Sequence, residues 1–212
     1  MEFFTTILGF FHKGGAFMYP IALVLVVGIA ITIERFLLLN KAEKENRQLW
    51  SQLQPLLASK DFDAAERIAA ASTSAVGRVL ASALTHARTV GASRPELEMA
   101  VEESLMEVTP ILEKRTHYLA TISNMSTLLG LLGTVIGLIG AFGALAKADA
   151  VQKADLLSAG ISEAMNCTAF GLLVAIPFLI LHTYLQTRTN ELVDSLEVAC
   201  MKLVNARSSF KG

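Results

Sequence analysis

The sequence predicts an all-α integral membrane protein: three transmembrane helices with long cytoplasmic helical extensions. Three observations carry this. Only 17% of the 212 residues are charged and 53% are hydrophobic, whereas an ordinary globular chain holds about 25% charged residues. The apolar content is aliphatic and small, with 7% aromatics and 14 glycines. The charges are also segregated, which leaves three long stretches almost free of them. A net charge of -1 excludes a basic nucleic-acid binder and an acidic disordered chain. Two cysteines are too few for a disulfide scaffold.

Each span follows from its run. Gly14 to Ile33 gives 20 residues without charge, and Tyr118 to Ala146 gives 29. Between Asp155 and Arg188 lie 32 residues whose one formal charge is Glu163. About 20 apolar residues cross a hydrocarbon core about 30 Å thick. The second and third runs exceed that length and should tilt or project. The first reads as a retained helix, because it leads into Glu34-Arg35-Phe36-Leu37 rather than a small-residue cleavage site. Of the 18 Lys and Arg residues, fifteen fall in the Arg35–Arg115 segment or from Arg188 onward. The excess marks those parts as cytoplasmic. The expected layout is a periplasmic N-terminus (1–13), spans at 14–39, 118–146 and 157–187, a cytoplasmic helical region (40–117), a periplasmic loop (147–156) and a cytoplasmic tail (188–212). Cys167 in a span and Cys200 in the tail are both expected to be reduced.

The 40–117 region reads as helical. Asp61-Phe62-Asp63-Ala64-Ala65-Glu66 has helix-starting acids, and Ser93-Arg94-Pro95-Glu96 is a capping box with proline in the first turn. Leu97, Val101, Leu105, Val108 and Leu112 then recur at helical spacing. The pattern predicts one long helix running into the second span, with Pro110 as a kink. The segment should bury little by itself and need other helices or other subunits.

Two spans carry the candidate chemistry. In the second, Gly133 and Gly137 form a GxxxG pair, which permits close helix approach. Thr127, Gly130, Thr134, Gly137 and Ala141 make a stripe of small and hydroxyl side chains, hence a packing seam or a pore wall, and Gly140 extends the glycine series. In the third span Glu163 is an acid that costs several kcal/mol unless it faces a cavity, a partner or a proton path; otherwise it caps or snorkels near the interface. Asn166 and Cys167 add a polar face, with Thr168 beside them, and Gly160 and Gly171 flank the set. Pro177 should interrupt and kink this helix. No metal spacing, phosphate loop or nucleophile-base pair is evident, so neither an enzyme nor a metal or cofactor site is expected.

Leu128-Leu129-Gly130-Leu131-Leu132-Gly133-Thr134-Val135-Ile136-Gly137, together with Gly160-Ile161-Ser162-Glu163-Ala164 and Thr168-Ala169-Phe170-Gly171-Leu172, resembles the MotA/TolQ/ExbB family of ion-channel motor subunits. Ile33-Glu34-Arg35-Phe36 and Lys60-Asp61-Phe62-Asp63 add weaker support. Three spans and about 210 residues resemble the ExbB/TolQ branch more than flagellar MotA. The resemblance implies a homopentamer in the bacterial inner membrane, around two ExbD/TolR-type single-span partners that supply a membrane aspartate. It implies coupling of the proton motive force to a TonB- or TolA-type transducer. Thr134 and Thr168 match the family's pore threonines, and Glu163 its pore glutamate. Asn166 beside Thr168 departs from the pattern and leaves sodium open as the coupling ion. A flagellar-type stator and a non-conducting scaffold are the other readings.

Overall fold

The computed structural model describes residues 14–89, 93–146, 148–149 and 151–208, and all regular structure among them is helical. The expected N-terminal segment 1–13, Lys147 and Lys211 lie outside the described residues. Six helices follow in order: α1 (Met18–Ala58), α2 (Phe62–Ala71), α3 (Ala75–Thr89), α4 (Arg94–Glu113), α5 (His117–Leu145) and α6 (Lys153–Ser208). Three stretches among the described residues are long and apolar enough to cross a membrane: α1, the α4–α5 stretch and α6.

The chain divides into two compact units. One takes the residues up to Ile33 and Arg115–Thr183, and the other takes Glu34–Lys114 and the chain from Tyr184 onward. The first is apolar on its outside. Leu23, Val26, Ile139, Leu173 and Ile180 are all more than 60% exposed, a surface suited to lipid and not to water.

The second unit has a core of its own, and the neighbour that the 40–117 segment was expected to need is the C-terminal part of α6. Leu49, Leu53 and Leu57 of α1 pack with Phe62 and Ala65 of α2, Val79 and Leu80 of α3, and Leu97, Val101, Val108 and Leu112 of α4. The C-terminal part of α6 closes it with Leu196, Cys200, Leu203 and Val204. Reading residues 40–117 without that last stretch removes one wall, which is why the segment looked incomplete. Burial, then the neighbouring Glu197 carboxylate, push the Cys200 thiol up to about 12. It therefore stays protonated at neutral pH and acts as a small core hydrophobe.

Two polar side chains tie this core together. Arg35 of α1 is 1% exposed, and its Nη2 donates to the Leu112 carbonyl in the last turn of α4. Asn46, 5% exposed, accepts the Val76 N–H through Oδ1 at 3.1 Å and so caps α3 from another helix. Ser74 supplies the local cap, accepting from the Gly77 N–H at 3.0 Å. The starts of α2 and α4 follow the sequence reading. Asp61 Oδ1 accepts the Ala64 N–H at 3.0 Å, and the Glu96 carboxylate reaches back to the Ser93 N–H at 3.3 Å.

The single helix expected from Pro95 into the second span is broken. Lys114 turns out of helical geometry with ψ 132, and Arg115 adopts φ 68, so α4 ends at Glu113 and α5 begins at His117. Neither glycine nor asparagine marks that site, so the sequence offers no stop signal. Pro110 lies inside α4, and the Lys114 N–H still reaches its carbonyl at 3.0 Å. Pro177, expected to interrupt the third span, sits within the continuous α6. Long helices absorb a proline where neighbouring helices satisfy the freed backbone groups.

At the end of α1, Lys60 has φ 62. The Asp61 N–H bonds the Leu56 carbonyl at 2.9 Å and the Lys60 N–H bonds that of Leu57 at 3.3 Å, the two bonds of a Schellman turn. A left-handed conformation costs a non-glycine residue about 1–2 kcal/mol, against about 0.4–1 kcal/mol for glycine's freer unfolded state. Lys60→Gly should therefore stabilise the second unit by about 0.5–1 kcal/mol. Denaturant unfolding followed by circular dichroism checks this, and a loss of stability would contradict it.

Candidate functional site

Within the first unit α5 and α6 pack antiparallel along a seam of small residues. The pairing runs Gly130 with Gly171, Gly133 with Cys167, Gly137 with Ala164 and Ala141 with Gly160. A Cβ on Gly171 would stand 2.6 Å from the Ser126 carbonyl oxygen and 3.0 Å from Gly130 Cα. On Gly130 it would stand 3.2 Å from the Cα atoms of Gly171 and Thr168, and on Gly137 3.1 Å from Ala164 Cβ. The backbones therefore touch at the Gly130–Gly171 crossing, where any side chain would hold them apart. Gly140 meets nothing within 4 Å and stands off the seam.

Hydroxyls bridge the crossing. Thr168 Oγ1 donates to the Gly130 carbonyl at 2.9 Å, and Ser123 Oγ donates to the Ala175 carbonyl at 2.8 Å. Thr134 Oγ1 bonds back to the Leu131 carbonyl at 2.5 Å within its own helix. Thr127 does the same to Ser123 at 3.2 Å. Ser123 and the fully buried Ser126 were not singled out from the sequence. Their spacing on the seam side of a span is the signal that could have found them.

Helical phase separates the candidate pore residues. At about 100° per residue, Glu163 and Thr168 diverge by about 140° around α6, and Asn166 and Thr168 by about 160°. The antiparallel pairing puts Thr134 and Thr168 on one flank of the seam. Glu163 lies on the opposite flank, and Asn166 points away from it. An Asn166–Thr168 oxygen pair for sodium does not form within one chain. The Glu163 carboxylate occupies the space beside Gly15 that a Cβ would fill, and Gly15 has φ 75, which glycine alone adopts without strain. This cleft holds about 390 Å³ between Gly14, Gly15, Gly137, Gly140, Gly160 and Glu163. On the same flank Phe17 packs over Gly133. No group of three or more His, Cys, Asp or Glu among the described residues is placed to hold a metal.

Three candidate spans, two of them packed along a glycine seam edged with hydroxyls, define a helical membrane protein. The model of the MotA/TolQ/ExbB proton channel family matches residues 71–198, which include all of α5 and the seam-forming part of α6. The chain belongs to that family. It is 28% identical over 201 residues to a biopolymer transport protein ExbB homolog of Methanothermobacter thermautotrophicus, covering 93% of this chain and 69% of the relative. It is 28% identical over 168 residues to an ExbB-like biopolymer transport protein of Synechocystis, covering 79% of each. To the Tol-Pal system protein TolQ of Haemophilus influenzae it is 37% identical over 79 residues, 37% of this chain and 34% of the relative.

Proposed function

We propose that this chain is an ExbB/TolQ-type motor subunit of the bacterial inner membrane, with its N-terminus periplasmic and its C-terminus cytoplasmic. It forms a homopentamer around two ExbD/TolR-type single-span helices. Protons moving past a membrane aspartate on those helices drive mechanical work on a TonB- or TolA-type transducer. The observation that carries this reading is the shared flank of Thr134 and Thr168 beside the Gly130–Gly171 crossing. Hydroxyls on an otherwise apolar wall can exchange hydrogen bonds with a passing aspartic acid and offer a charged aspartate no lasting partner. Glu163, towards the outer end of the third span, serves as the ionisable group within that apolar run. An elementary charge crossing 100 mV supplies about 2.3 kcal/mol, so several protons are needed per mechanical step.

Co-expression with an aspartate-bearing single-span partner should give a complex whose native mass corresponds to about five copies of this chain and two of the partner. A monomer or dimer without the partner would count against the assembly. Thr134→Val and Thr168→Val keep side-chain volume and remove the hydroxyl. Proton flux in vesicles carrying the complex should then fall to background with assembly intact, and Thr168→Ser should restore part of it. A non-conducting scaffold would tolerate both valines, since packing volume is unchanged.

A further inference from the structure

α4 carries six glutamates against one arginine, and its outward face has a pattern. Leu97, Val101, Val108 and Leu112 turn inward to the core of the second unit. On the opposite side Met99 and Met106 are 66% and 67% exposed. At about 100° per residue the two methionines stand within about 20° of each other around the helix. Glu98 and Glu102 run along one side of them, and Glu103 and Glu107 along the other. A solvated face gains nothing from large apolar side chains at its centre, and contiguous exposed ones mark an interaction site.

On the Glu98–Glu102 side lies a groove of about 300 Å³ between α4 and the end of α6. Leu105, Val204 and the exposed Met201 form its apolar floor, with Glu98, Glu102 and Glu197 at its rim. Arg94 engages Glu98 at 2.8 Å. Glu102, Glu103, Glu107 and Glu197 make no ion pair among the described residues.

The charge decides what can cover this surface. Its free carboxylates repel nucleic acid and the anionic face of a bilayer, and two copies of the same face would set glutamate against glutamate. They attract a cationic partner. Met99 and Met106 are seven positions apart, about 10 Å along the axis, which is the rise between i and i+7 on an incoming helix. The flexible thioether chains of methionine adapt to apolar anchors of differing shape.

We propose that the outward face of α4 and its groove dock a basic amphipathic helix of another protein. Its apolar anchors rest on Met99, Met106 and Met201, and its lysines or arginines face the glutamates on either side. The surface lies wholly within the second unit and does not rest on the ion-pathway reading.

The full-length protein in phosphatidylcholine nanodiscs is titrated against a fluorescently labelled synthetic helix with leucines at i, i+4 and i+7 and lysines on its other face. Anisotropy should rise saturably above the level given by empty nanodiscs, and added salt should weaken the binding. The same helix with glutamate in place of every lysine should not bind. The paired substitutions Met99→Ser with Met106→Ser remove the anchors' seat, and Glu102→Lys with Glu103→Lys reverse the charge. Each pair lies on exposed positions, leaves the core untouched and should weaken binding about tenfold or more. Hydrogen peroxide should oxidise Met99 and Met106 readily in the protein alone, as read by mass spectrometry, and the bound helix should protect them. No saturable binding above empty nanodiscs would overturn the proposal, as would undiminished binding by either paired variant or equal binding of the acidic helix. Protection of both methionines without the peptide would overturn it too, because a second copy of the chain would then cover the face.

Discussion

Gly171→Val leaves little folded protein in the membrane. A Cβ at this position meets the Ser126 carbonyl oxygen at 2.6 Å and Gly130 Cα at 3.0 Å, so the obstruction is backbone and cannot rotate away. Overpacking that side chains can absorb costs about 1–3 kcal/mol. Here two helices must part, which weakens dispersion along the seam. It also stretches the Thr168–Gly130 and Ser123–Ala175 hydrogen bonds, each worth about 1 kcal/mol. The total, about 3–5 kcal/mol, is a large share of the 5–15 kcal/mol that holds a typical domain together. Gly171→Ala should be intermediate, because it adds the offending carbon and no more. Gly140→Ala meets nothing within 4 Å and should change stability by less than about 0.5 kcal/mol, alanine being the better helix former. Unfolding of detergent-solubilised protein by added SDS, followed by circular dichroism, ranks the three. A Gly171→Val chain as stable as the wild type would show that the seam opens without cost.

The same contrast shows what the sequence could disclose. Gly133 and Gly137 stand out as a pair because spacing is visible in one dimension, and Gly140 continues the series by eye. Which of these glycines faces α6 depends on a three-dimensional pairing that spacing alone does not specify. Glu163, Asn166 and Thr168 likewise look like one polar cluster because they are close in number, whereas an α-helix turns the last two to nearly opposite sides. Hydropathy was enough for three spans, since each run is longer than the hydrocarbon core is thick. The Asp61 and Ser93 caps were readable because their partners lie three residues away. Asn46 reaches 30 residues along the chain to cap α3, and no local pattern announces that. The left-handed residues Lys60 and Arg115 were hidden for a related reason: glycine is the usual signal of that conformation, and here long basic side chains adopt it.

Arg35→Ala should destabilise the second unit by about 2–4 kcal/mol, the largest effect expected of any single polar side chain in it. Arg35 stands in the Glu34-Arg35-Phe36 stretch after the first apolar run, where a basic residue reads naturally as an interfacial anchor. It is instead 1% exposed and bonds the Leu112 carbonyl. That carbonyl is one of the last four of α4, which have no partner within their own helix. The negative end of the helix dipole lies there too, and it favours a cation. Guanidinium does not lose its proton in a protein, so the side chain stays charged when buried and depends on such acceptors. Removing it strands the carbonyl and leaves a cavity where the largest of the fully buried side chains stood. Arg35→Met separates these costs. It refills most of the volume and supplies no donor, so it should recover the cavity part and leave about 1–3 kcal/mol for the unmatched carbonyl. Arg35→Lys keeps one donor on a thinner stem and should fall between Met and wild type. Urea unfolding of the purified chain in detergent, read by circular dichroism, gives the order wild type, Lys, Met, Ala. An alanine variant within about 0.5 kcal/mol of wild type would mean that water replaces the guanidinium at the end of α4, and the buried arginine would lose its role as the tie between α1 and α4.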